Sequence, residues 1–350
     1  MCWGDEAAPS PVLKMTATSQ SPVAFVCGHR KAGTTLLRNL LDGNRQLAVY
    51  PIDLALLYAY FPDYIRTQLD PEARRARLER ILFVDLAEQL AKQGADGLLP
   101  IDALAKAFFA RLDDEALGRP GAIVEALLAA FNQVTGRGAP ILRGNLVKET
   151  SIEIYAAEIV EWFPQSRFIQ VLRDPRDNFA ALAAGVEAHY GPLGEDRKRT
   201  LASLIHRVRH GFRIASRNRA ALGANRYHLL RYEDLVAAPE PRMREVAAFL
   251  GVDFEGSLLE PTILGRPVGA NSYDSETIFA VSGRNVGRWR DRITEEEASV
   301  IEFHLAEEMA EFGYAPAFAP AQQARAAAEF YKWQNYAYYY NDRFAKARLP

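Results

Sequence analysis

Residues 28–35 read GHRKAGTT and stand between an apolar run at 22–27 (PVAFVC) and a stretch of helical character at 34–41. A buried strand that ends at a glycine and turns at once into a helix leaves the first helical N–H groups without partners. Those groups and the helix dipole favour an anion, and a phosphate suits them best. Thr34 and Thr35 add hydroxyl donors, and Lys31 adds a cation. The segment is similar to a GxxxxGK[ST] phosphate loop but departs from it at one place. Thr34 follows Gly33 where that loop has its lysine, and the lysine here, Lys31, lies two residues before Gly33. In nucleotide-hydrolysing loops a Ser or Thr beside the lysine holds Mg²⁺, and a strand-end carboxylate helps it. Neither feature is present, and the later apolar run at 167–172 (RFIQVL) leads into Arg173 instead. Anion binding without a metal is the expected chemistry.

Arg173-Asp174-Pro175-Arg176-Asp177 is the second informative stretch. Asp174 suits an N-cap and Pro175 the first helical position, so Arg173 falls between a strand end and a helix start. Ligands of open α/β sheets bind off such strand ends. A surface Asp–Arg pair is the structural alternative, and the phosphate loop elsewhere in the chain favours a second anion site. Residues 197–231 hold ten Arg or Lys and no Asp or Glu, with His206, His210 and His228 among them. Leu201, Leu204, Ile205, Val208, Phe212 and Ala215 recur at helical spacing, and His206, His210, Arg213 and Arg217 share another face. A solvated basic face and a polyanion-binding face explain that strip equally well.

These groups need elements to position them. The runs at 22–27, 142–148, 167–172 and 227–232 read as strands, and helical stretches lie between them. Asp70-Pro71 opens a helical region that extends to about 131, with breaks near Gly94, Gly97 and Gly118-Arg119-Pro120. Residues 152–163 read as a helix stopped by Pro164, and 241–250 as a helix closed by Gly251. Thr294 and Glu297 form a capping box for a helix to about 312. Strands alternating with helices predict a three-layer α/β fold with a parallel sheet.

A net charge of −2 argues against a dedicated nucleic-acid binder. No apolar run reaches the ~18–20 residues of a membrane span. The first 20 residues read as a loose tail with no secretory signal, and Met15 is a candidate second start. The two cysteines, Cys2 and Cys27, make no disulfide framework, and the expected setting is cytoplasmic. The aromatic C-terminal extension, 316–350, is expected to be helical and to serve core packing or a homodimer contact.

Taken together and in order, four stretches resemble the sulfotransferase family, whose members use 3′-phosphoadenosine 5′-phosphosulfate (PAPS). They are Lys31-Ala32-Gly33-Thr34-Thr35, Arg173–Asp177, Tyr232-Glu233-Asp234-Leu235 with the helix to Gly251, and Gly283-Arg284-Asn285-Val286-Gly287-Arg288-Trp289. The resemblance spans roughly residues 22–312 and implies a phosphate-loop α/β core, 21–315, with a helical insertion at about 54–135 on the acceptor side. It implies that Arg30, Lys31, Ala32, Gly33, Thr34 and Thr35 hold the 5′-phosphosulfate and that Arg173 holds the 3′-phosphate. Tyr232 would lie near the adenine, and Ser282, Gly283 and Arg284 would close over the 3′-phosphate side. Two family positions differ: Leu36 stands where many members have Trp, and Ala181 where many have Ser.

In-line sulfuryl transfer develops charge on the bridging oxygen, where Lys31 is the implied catalyst, and the acceptor needs a base. Relatives supply that base after the first helix or after the next strand. The equivalent residues are Asp53 first and Glu149 second. N-capping of a helix from Leu54 is the structural alternative for Asp53, and an ion pair with Lys148 or a surface Arg for Glu149. His29, inside the loop, is expected to structure it, and His189 and His304 have no constellation around them. The acceptor is expected to be a small molecule, glycan or lipid, and no metal or nucleic acid is expected. A phosphate-loop kinase and a non-catalytic polyanion-binding module are the alternatives; the first lacks its Mg²⁺ ligands, and the second leaves the placement of Lys31 unexplained.

Overall fold

Phe25 and Cys27 face one apolar layer while Ala24 and Val26 face another, so β1 (Val23–Gly28) is buried on both sides. A strand of that kind must be covered by helices on each face. The computed structural model describes residues 22–55, 70–136, 141–187, 196–269 and 281–333. It shows β1 at the centre of a five-stranded parallel sheet with β2 (Leu47–Asp53), β3 (Gly144–Lys148), β4 (Arg167–Leu172) and β5 (Tyr227–Arg231). The order is β2-β3-β1-β4-β5, and Phe25 stands level with Val147 on one side and Phe168 on the other. Because every pairing is parallel, all five carboxyl ends lie on one edge.

The helices follow their caps. α1 (Thr34–Leu41) starts directly after the loop. Asp70 accepts the Ala73 N–H and opens α2 (Pro71–Glu79), which continues through a π turn, Arg80–Val84, into α3 (Asp85–Lys92). α4 (Ile101–Phe109) and α5 (Pro120–Thr135) complete this helical region, and the expected breaks separate α3 from α4 and α4 from α5. Together they cover β2: the Tyr50 ring meets Phe131 edge-on at 5.6 Å, and its hydroxyl donates to Leu82 O.

Residues 152–163 begin as a 3-10 turn, Ile152–Tyr155, before α6 (Ala156–Trp162). Asp174 caps α7 (Pro175–Gly185) as its sequence predicts, and the basic stretch forms the 26-residue α8 (Arg197–Leu222). Tyr232 belongs to α9 (Tyr232–Ala237) rather than to the strand before it. α10 (Pro239–Leu250) ends at Gly251 in the left-handed region. A two-stranded ribbon, β6 (Thr262–Ile263) with β7 (Arg266–Pro267), and a single turn, α11 (Trp289–Arg292), follow. The capping box opens α12 (Glu295–His304), but the expected continuous helix breaks at Leu305 before α13 (Ala306–Glu311). α14 (Pro320–Phe330) packs on α12 through a separate apolar cluster.

Strand β2 is an addition to the sequence reading. Pro51 argues against a strand interior, yet β2 is the sheet edge and its register shifts between Val49 and Asp53, where a proline is tolerated. The expectations for the N-terminal tail, Met15, Cys2 and His189, and for the C-terminal aromatic residues from 334 onward, fall outside the described residues.

Candidate active site

The carboxyl edge of the sheet gathers what the motifs singled out. Gly28 ends β1, Asp53 ends β2, Lys148 ends β3, Arg173 follows β4 and Tyr232 follows β5. β1 lies between β3 and β4, where the strand order reverses, the position at which open α/β sheets bind ligands.

The loop is held in an unusual conformation. Lys31 has φ +67° and Gly33 φ +106°, and a lysine in the left-handed region carries strain of the kind found at ligand sites. A Cβ on Gly33 would lie 2.5 Å from the Tyr232 ring, so only glycine fits. The Ala32 N–H donates to His29 O at 3.0 Å. His29 Nδ1 donates to Arg30 O at 2.8 Å, and Asn178 Nδ2 donates to the same carbonyl. Burial first, then the Arg207 charge, lowers the His29 pKa to about 4, so a neutral imidazole braces the loop as expected. Buried Thr34 and half-buried Thr35 begin α1, whose N-terminus has no side-chain cap and no acid in its first turn. Burial, reinforced by Arg30, Lys148 and Arg173, lowers the Lys31 ammonium to about 8.

Arg173 bridges the loop and the 283–285 turn. Its guanidinium donates to Lys31 O at 2.8 Å and to Asn285 O at 2.9 Å, and lies 4.6 Å from the Tyr232 ring centroid. Each terminal nitrogen keeps a second N–H. The turn at Gly283–Asn285 is capped by Ser282, which accepts the Arg284 N–H, and both Gly283 and Arg284 are exposed. Ala181 is half-buried on α7 and offers no donor.

On the β2–β3 side, Lys148 Nζ pairs with Asp53 at 2.5 Å, and Thr150 Oγ1 donates to the other Asp53 oxygen at 3.4 Å. The Asp53 side chain is 39% exposed, open enough to meet an acceptor. No helix starts at Leu54: Leu54 and Ala55 are irregular, Ala55 has φ +57°, and the Leu54 N–H continues to Lys148 O. The capping alternative for Asp53 is therefore corrected. Glu149 is buried, not on the surface, and its N–H donates to Val26 O.

Sequence reasoning missed two of these groups. Lys148 was legible as a cation closing an otherwise apolar strand. Glu153 gave no signal: it is buried, and its carboxyl accepts the Gly28 N–H at 3.1 Å beneath the loop. Burial raises that carboxyl to about 7, against the Gly28 and Cys27 hydrogen bonds that lower it.

Part of the basic strip is paired with acids of the same chain. Arg209 and Arg213 pair with Glu308, Arg197 pairs with Glu297, and Ser216 donates to Glu311. The acids of α12 and α13 thus meet Arg197, Arg209 and Arg213. Arg207, by contrast, is exposed on α8 and acts electrostatically on His29. Among the described residues no His, Cys, Asp and Glu group has metal-site geometry.

A parallel α/β sheet with a strand–glycine–helix loop, cations and a carboxylate on one edge is an arrangement suited to group transfer. The sulfotransferase family model matches residues 22–256, and the chain belongs to that family and is an enzyme of that class. The sulfotransferase domain from the Synechococcus PCC 7002 olefin synthase shares the fold: 22% identity, 91% of this chain and 98% of that one, TM-score 0.56. The sulfotransferase domain from the curacin biosynthetic pathway is 19% identical over 85% of this chain and 99% of that one, with TM-score 0.53. No curated protein matches the chain.

Proposed function

We propose that this sulfotransferase moves a sulfuryl group from PAPS to a hydroxyl or amine, releasing adenosine 3′,5′-bisphosphate (PAP). The observation that supports it most is Lys31 held left-handed at the β1 end, with Arg173 reaching its carbonyl from β4. The 5′-phosphosulfate lies against the 30–35 backbone and the Thr34 and Thr35 hydroxyls. The 3′-phosphate takes the remaining N–H groups of Arg173, with Ser282, Gly283 and Arg284 over it and Tyr232 near the adenine.

Asp53 accepts the acceptor's proton as its oxygen or nitrogen attacks sulfur from the side opposite the bridging oxygen. The new bond to sulfur forms while the sulfur–oxygen bond to the phosphate breaks, and the electron pair goes to that phosphate oxygen. Lys31, weakly basic for a lysine, stabilises or protonates it. Lys148 orients Asp53 through their ion pair. Glu149 is the second choice for the base.

The helical region α2–α5 beside β2 suits an acceptor wall for a small molecule, glycan or lipid. Incubation with radiolabelled PAPS and a cell extract, followed by mass analysis, tests the proposal. Labelled product and an equal amount of PAP are expected; label that stays in PAPS with every acceptor contradicts it.

A further inference from the structure

Asp177 is buried, 2% exposed, and has no role in the reaction described above. Its carboxylate accepts the Gly287 N–H at 2.7 Å and the Trp289 N–H at 2.9 Å. These are residues 110 and 112 positions away in sequence. A buried carboxylate is costly unless hydrogen bonds compensate it, so this pair of contacts fixes where the 287–289 backbone can lie. Gly287 has φ +75°, and a Cβ there would come within 2.9 Å of Arg290, so the segment bends sharply where Asp177 holds it. Arg173, four residues earlier and before the N-cap of α7, donates to Asn285 O in the same segment. The RDPRD motif therefore grips residues 285–289 twice, by a donor at one end and by an acceptor at the other.

We infer that Asp177 is a positioning residue for the 3′-phosphate end of the donor site. It holds the 285–289 segment so that the turn at 282–285 stays against Arg173. The inference rests on the PAPS reading, and the groups that touch the phosphate remain Arg173 and the turn.

Calorimetric titration of the full chain with PAP and with AMP tests it, since the two ligands differ only in the 3′-phosphate. The parent should bind PAP more tightly than AMP; if it does not, the donor reading fails and Asp177 is not at issue. Asp177→Asn keeps the size but turns an amide N–H towards a backbone N–H. It should weaken PAP binding about 10- to 100-fold, as for a disturbed charged hydrogen bond, and change AMP binding less than about twofold. Hydrogen exchange at the Gly287 and Trp289 amides should accelerate while that of β1 and β4 does not. Equal weakening of PAP and AMP, or no change in a parent-like background that binds PAP, overturns the inference. If Asp177→Asn does not fold, Asp177→Ser is titrated in the same way, and failure of both to fold also overturns it, because Asp177 is then a folding residue.

Discussion

Lys31 separates binding from chemistry most cleanly. A cation that only attracts the donor stabilises ground and transition states alike, whereas one aimed at the leaving oxygen acts where charge develops. Lys31→Ala should lower kcat about 10²–10³-fold, similar to losing an oxyanion donor, with a smaller change in PAP affinity. Saturation kinetics in both substrates would show it, and an unchanged kcat removes the assignment. The same residue sets a pH dependence. Burial and three neighbouring cations bring its ammonium to about 8, so its proton is lost as pH rises through that value. The profile of kcat/KM should therefore fall above pH about 8, and Lys31→Arg should move that limb upward, because a guanidinium stays protonated.

Asp53→Asn is nearly isosteric and should cost about 10²–10⁴ in turnover with PAP binding kept, as for a lost general base. A parental rate would transfer the role to Glu149. At this scale the loop was legible in the sequence, because an apolar run, a glycine and two threonines mark a strand that turns at once into a helix. The Lys148–Asp53 pair was not legible, since its members lie 95 residues apart and meet only through parallel pairing of β2 with β3.

Elements carry the site through buried charge. Arg176 pairs with Asp174 and with Glu302 at 2.6 Å each, and Glu302 also accepts the Ala317 and Phe318 N–H groups. The α7 start, directly after Arg173, is thereby fastened to α12 and to the segment before α14. Removing one partner of such a network leaves an uncompensated buried charge, so Glu302→Ala should destabilise the fold by about 3–5 kcal/mol in urea titration. Loss of under about 1 kcal/mol would show that solvent replaces the contact. Capping residues made α2, α7, α10 and α12 readable from local chemistry. Strand β2 escaped because Pro51 is acceptable only at an edge, and edge position is a property of the whole sheet.

At the scale of the molecule, a net charge of −2 conceals an arrangement rather than a balance. Acids of α12 and α13 pair with Arg197, Arg209 and Arg213 of α8, while the carboxyl edge gathers Lys31, Lys148 and Arg173 with Asp53, whose side chain is 39% exposed. Composition could not show this, because it does not record which face meets which. An edge of that character, served by a loop with Thr34 in place of the phosphate-binding lysine of a GxxxxGK[ST] loop, should prefer a doubly phosphorylated nucleoside to a metal–triphosphate. Calorimetric titration of the purified chain with PAP in EDTA, set beside ATP with Mg²⁺, is the most direct test. One PAP per chain, bound without metal and about tenfold or more tighter than ATP–Mg²⁺, is the predicted result, the margin being that of one charged hydrogen bond to the 3′-phosphate. Tighter binding of ATP–Mg²⁺, or no heat from PAP, would contradict the account.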